Sequence, residues 1–181
     1  MITFGLPGVK RDDPDWFPAF LLNHIFGGGG FSSRLTAEIR EKRGLTYGIY
    51  TSLWPLDHAA LLVGGGSTVN DKAGETLGLI KSELVRMAEG GVSEEELADA
   101  KTYLTGSLPL QFTSTSATAR IILQVQRDRL GIDYLQRRTA LIEAVTVADV
   151  NRMAKRLLDP AKLTTVVVGQ PKGITPSRMV E

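Results

Sequence analysis

Phe26-Gly27-Gly28-Gly29-Gly30-Phe31-Ser32-Ser33-Arg34-Leu35, continued by Thr36-Ala37-Glu38-Ile39-Arg40-Glu41-Lys42-Arg43-Gly44-Leu45-Thr46-Tyr47, is the stretch on which the reading of this chain turns. A run of glycines lets backbone amides approach a neighbour closely and bends where other residues cannot. After it, Ser32 or Ser33 is placed to cap a helix. Leu35 and Ile39 form its apolar face, Arg34 and Glu38 pair outside it, and Gly44 stops it.

Working outward, Ile2 to Leu6 reads as a strand, followed by a polar loop and a helix capped by Asp15 with Trp16, Phe20, Leu21 and Ile25 on its apolar face. Thr46 to Leu53 and Ala59 to Gly65 read as two strands paired in a hairpin across Trp54-Pro55-Leu56-Asp57. From Asn70 a long helix carries Ala73, Leu77, Ile80, Leu84 and Met87 on one stripe and ends at Gly90-Gly91. Ser93-Glu94-Glu95-Glu96 is a capping box for the next helix. Further helices are predicted over Ala117 to Leu130, Tyr134 to Ala144 and Val150 to Leu158, and a buried final strand over Leu163 to Gly169. Strands interleaved with helices make an α+β fold, a mainly antiparallel sheet with helices packed on one face, and 1–181 reads as one domain.

The charge balance, 21 Lys and Arg against 20 Asp and Glu, offers no footprint for nucleic acid or an anionic membrane. No apolar run approaches the roughly 18 residues that span a bilayer. The chain has no cysteine, which excludes disulfides, cysteine-based zinc sites and thiol nucleophiles. Compartment is therefore unknown; a signal peptide on a longer parent would point to the bacterial periplasm.

Chemistry-bearing patterns are sparse. Gly27, Gly28, Gly29 and Gly30 lack the lysine and hydroxyl offsets of a phosphate loop and the spacing of a dinucleotide fingerprint, so a flexible connector is the plainer reading of the residues alone. Gly64-Gly65-Gly66-Ser67-Thr68 is a strand-to-helix turn without a lysine. Only His24 and His58 are present, far apart, and neither inverted nor ordinary zinc-peptidase motifs occur, so no metal site is expected in this chain. No serine-nucleophile elbow is present either. Arg40, in the last turn of the second helix, and Tyr47, near the start of the following strand, bring two donors toward one rim at the Gly44 reversal. Donors so placed suit the carbonyls of an extended peptide or the oxyanion of amide hydrolysis. Helix-dipole complementation by Arg40 and packing by Tyr47 beside Leu45 and Ile49 are the plainer reading.

The Gly-rich turn, Ser33-Arg34-Leu35 and the spaced Arg40, Gly44, Leu45 and Tyr47 closely resemble the C-terminal, non-catalytic lobe of the pitrilysin or insulinase (M16) zinc metallopeptidases, of the mitochondrial-processing-peptidase type. Val145 to Val150, Ala154, Asp159-Pro160 and Val166 to Gly169 are similar to the closing helix and strand of that lobe, so the resemblance covers nearly the whole chain. It implies a piece of a two-lobed, clam-shaped peptidase in which the zinc sits in an N-terminal lobe or partner subunit. Arg40 and Tyr47 take the positions that reach the substrate backbone near the scissile bond, and Gly27 to Gly30 that of a shorter substrate loop. The implied partners are that zinc-bearing lobe and a peptide or unfolded protein, and this chain alone is expected to be inactive. A structural core subunit or a peptide-binding module of the same fold without proteolysis is the alternative.

Overall fold

The computed structural model describes residues 1–179. Strand β1 (Ile2–Pro7) lies centrally. The hairpin partners β2 (Ile49–Pro55) and β3 (Ala60–Gly66) flank it on one side and β4 (Thr164–Val167) on the other, in the order β2-β3-β1-β4. Every pairing is antiparallel, with Phe4 opposite both Gly64 and Thr165, and Thr51 opposite Gly64.

Side-chain alternation sends Ile2, Phe4, Leu6, Ile49, Thr51 and Leu62 to the same buried face. The opposite face carries Tyr50, Trp54 and Val166, all exposed. Helices therefore cover one side of the sheet, as the α+β reading requires. Phe4 is seated over a strand position with no side chain, since a Cβ on Gly64 would collide with its ring.

The helices are α1 (Trp16–Asn23), α2 (Ala73–Gly90), α3 (Glu94–Gly106), α4 (Thr115–Arg127), α5 (Tyr134–Glu143) and α6 (Val147–Leu157). The predicted stripe of α2 is buried in full, and Gly91, at φ 67°, ends the helix by donating its amide to the Met87 carbonyl. Full capping boxes open α3 at Ser93 with Glu96 and α6 at Thr146 with Asp149. Val150, Met153, Ala154 and Leu157 of α6 pack into the core beside α1.

Three expectations are corrected. Asp15 does not cap α1; its carboxylate takes hydrogen bonds from Arg152 and Arg156, pinning the start of α1 to α6. The last strand is shorter than Leu163 to Gly169 and only partly buried, because it is an edge with one neighbour. The strand expected from Thr46 begins at Ile49, leaving Tyr47 on a loop. Helix α4 buries none of its side chains: Ala117, Ile121 and Val125 face a cleft of about 470 Å³ shared with Trp16, Phe20 and Leu53, while Ile122 and Leu123 face outward.

Candidate functional site

Helix α1 does not stop at the glycines. It runs on through a π-helical turn, His24–Gly28, and a single 3-10 turn, Gly30–Ser32. Gly27 is buried against β2, where a Cβ would lie 2.6 Å from Thr51 Oγ1. Gly29 passes as closely over His24, where a Cβ would lie 2.8 Å from its carbonyl oxygen. Gly30, at φ 61°, turns the chain in the left-handed region that glycine tolerates. Ser33 stands at the N-terminal cap position of the next helix, extended and with its carbonyl taking the Ala37 amide at 3.0 Å, but its hydroxyl makes no side-chain cap, lying 2.8 Å from the Gly30 carbonyl and 3.0 Å from Thr36 Oγ1; the Ser32 hydroxyl donates to the Gly29 carbonyl at 2.9 Å. The run is thus an ordered sequence of turns, with Gly28 and Gly30 exposed and Gly27 beneath them.

The following helix is also π-wound, over Thr36–Glu41, a form that often marks functional positions. Its extra residue per turn changes which side chains align. The expected Arg34–Glu38 pair does not form: Arg34 reaches Glu96 of α3. Glu38, buried, gathers Lys42, Arg43 at 2.8 Å and Arg86 at 3.2 Å. The hydrogen bonds from Lys42 and then Arg43, supported by Arg86, hold its carboxyl down at about 2 against the opposing effect of burial.

Arg40, half-buried on the same helix, takes no part in that cluster. The chain then reverses: the Gly44 amide donates to the Arg40 carbonyl at 2.8 Å and the Leu45 amide to Ile39 at 3.0 Å. Gly44 supplies the positive φ of 61° that the reversal needs. Buried Thr46 locks the loop, its Oγ1 lying 2.8 Å from the Gly48 carbonyl and 2.7 Å from that of Ser67. Held from below in this way, Tyr47 projects into solvent at 90% relative exposure. Its position is not that of a packing residue.

Arg40 and Tyr47 meet on one exposed rim, the guanidinium carbon 5.2 Å from the phenol ring centroid. Among the described residues neither guanidinium nor phenol makes a hydrogen bond or ion pair, so the polar edges of both remain available. The sequence reading missed Phe31, whose ring centroid lies 4.2 Å from the Arg40 guanidinium carbon and which is 66% exposed. The signal was present: an aromatic residue directly after the glycines, outside any apolar period.

No group of three or more His, Cys, Asp or Glu among the described residues could hold a metal. His24 is half-buried, stacked on Tyr103 at 5.1 Å, and burial pushes its imidazole down. His58 is exposed in the β2–β3 turn. These donors do not fit a zinc site, which needs three converging ligands.

A family model described as the peptidase M16 inactive domain matches residues 1–104. An uncharacterized zinc protease of Streptomyces coelicolor is 29% identical over 181 residues, covering 98% of this chain and 38% of that protein. A protein of Helicobacter pylori named as a non-peptidase homolog is 28% identical over 172 residues, covering 94% of this chain and 40% of its own length. Among solved structures, the peptidase M16 inactive domain from Pseudomonas fluorescens superposes with a TM-score of 0.79 at 31% identity, over 91% of this chain and 40% of that one. The chain spans about two fifths of the length of these curated relatives.

Proposed function

The chain belongs to the peptidase M16 inactive-domain family, and from that membership we propose that it is the peptide-holding, non-catalytic lobe of a zinc metallopeptidase. Its fold and its relatives' names are those of zinc-protease-like proteins, and its own side chains supply no metal ligands among the described residues. The observation that carries the reading is the exposed rim at which Arg40 and Tyr47 present uncommitted donors.

An extended polypeptide offers carbonyl oxygens at regular spacing, and a guanidinium edge with a phenol hydroxyl can donate hydrogen bonds to them without changing charge. When amide hydrolysis places negative charge on the scissile carbonyl, a donor already in position stabilises it without reorganising. In this reading residues 1–181 form one domain of a larger two-lobed protein, and zinc comes from the other lobe, in the same parent chain or a partner subunit. Arg40 holds the substrate backbone, Tyr47 supports the developing oxyanion, and the exposed Gly28 and Gly30 border the same path.

The test is to assemble the chain with its zinc-bearing counterpart and measure zinc content and peptide cleavage with and without this lobe. Cleavage that needs the lobe and falls with Arg40→Ala supports the proposal; a counterpart equally active alone defeats it. The Helicobacter pylori relative named as a non-peptidase homolog favours a second reading, a peptide-binding or structural module without hydrolysis. An assembly that binds peptide but holds no zinc would select that reading.

A further inference from the structure

Arg40 differs from the cations around it. Arg34, Lys42, Arg43 and Arg86 each have a carboxylate partner; Arg40 has none among the described residues and lies instead against two aromatic rings, 4.2 Å from the Phe31 centroid and 5.2 Å from that of Tyr47. Arginine has among the largest rotamer entropies of any side chain, so a guanidinium that must meet a ligand in one pose gains from being held beforehand. A carboxylate could hold it, but would occupy its N–H edge and cancel its charge. An aromatic face holds a cation through the ring quadrupole and leaves the five N–H donors open.

The nearer of the two rings is that of Phe31, and it is not a core residue. Everything beneath it is fixed. Gly27 sits against Thr51, Gly29 against His24, Gly30 makes the left-handed turn, and the Ser32 and Ser33 hydroxyls tie the turn to the glycine carbonyls. With any other residue at Gly27 or Gly29, the backbone could not approach its neighbours this closely. The result is an exposed aromatic side chain on a turn tied down at its glycines, facing a cation that has no carboxylate partner among the described residues.

We infer that Phe31 is a positioning residue for Arg40, and that the Gly27 to Gly30 run serves to present it. Phe31 and Tyr47 together hold the guanidinium, so that its edge meets the substrate carbonyl already ordered. The role in peptide holding rests on the function proposed above; the positioning of Arg40 itself does not.

Two measurements separate them. In the chain by itself, side-chain NMR of Arg40, assigned by loss of its signals in Arg40→Lys, should show protons shifted upfield by ring current. Phe31→Leu should abolish most of that shift and Phe31→Trp should retain it. In the assembled two-lobed protein, Phe31→Leu should weaken binding of a labelled unstructured peptide by about 3-fold to 10-fold, and Phe31→Trp should stay within about 2-fold of the unmodified protein. In an Arg40→Ala background, Phe31→Leu should have no further effect. A wild-type chain without the ring-current shift, or a shift indifferent to Phe31→Leu, overturns the positioning role. If Arg40→Ala weakens peptide binding and Phe31→Leu does not, this inference fails and the proposed function stands. If neither substitution alters peptide binding, both fail.

Discussion

Arg34 forks onto Glu96, its Nε and Nη2 each 2.6 Å from a carboxylate oxygen, while Nη2 also reaches the Gly91 carbonyl at 2.8 Å. Glu96 simultaneously closes the capping box of α3 by accepting from the Ser93 amide. One carboxylate therefore joins the start of α3 to the segment that follows the glycine run. Its pKa is lowered first by the Arg34 hydrogen bonds. Arg34→Ala should cost about 1–3 kcal/mol, because the charge-assisted fork is lost and Glu96 keeps only the box. Arg34→Lys should recover part of this, since an ammonium cannot bond both oxygens in the same plane. Urea unfolding of the three proteins checks the ranking; equal midpoints would refute it.

Acid should act through Glu38. Its carboxyl falls from 4.5 to about 2 on folding, so its stabilisation is fully present above 4.5 and is lost as pH drops through the folded value. Neighbouring Glu83 acts with the opposite sign: burial, its largest influence, raises it against the pull of Arg86, so protonation there favours the folded state. Lys42 and Arg86 are more than half exposed and their attraction is screened. The net loss attributable to Glu38 is on the order of 1–2 kcal/mol. Unfolding free energies measured across this window should fall less steeply for Glu38→Gln than for the unmodified chain.

Tyr47→Phe removes a hydroxyl that makes no intramolecular hydrogen bond among the described residues, so the fold should be indifferent to it. In the assembled peptidase it should lower kcat by about 10² with little change in KM, the pattern of a contact made only in the transition state. Arg40→Ala should act mainly on KM, because in the proposed role it would grip backbone carbonyls in ground and transition states alike. Steady-state kinetics distinguish the two, and a KM effect from Tyr47→Phe would reassign it.

Gly64→Ala should destabilise by about 1–3 kcal/mol through overpacking, since the new methyl meets the Phe4 ring and both strands are held in register. Phe4→Leu in the same chain should relieve part of that collision. Thermal melts of the single and double variants would show it as non-additivity.

The elements that could be read from sequence are those whose signals agree at every level. Helix α2 has a strict apolar stripe with a glycine stop, and α3 and α6 have complete capping boxes, so period, cap and burial coincide. The stretch around the rim was legible as a motif but not as geometry. A π-wound turn adds a residue that no 3.6-residue template anticipates, which is why Arg34 was assigned to Glu38 when its partner lies in α3. The β-propensity of its neighbours predicts a strand at Tyr47; the Thr46 clamp that keeps it in a loop depends on Ser67, 21 positions from Thr46. Phe31 went unnoticed because the sequence holds no periodic sign of a cation stacked on a ring.

A helix with no enclosed side chain has a consequence for how the molecule opens. Helix α4 has a serine cap and an amphipathic stripe over a cleft, yet no fully buried residue. An isolated helix of its 13 residues would be marginal in water. Its amides should therefore exchange with deuterium through local opening, well ahead of those of α2 and α6, making it the least protected cooperative unit of the fold.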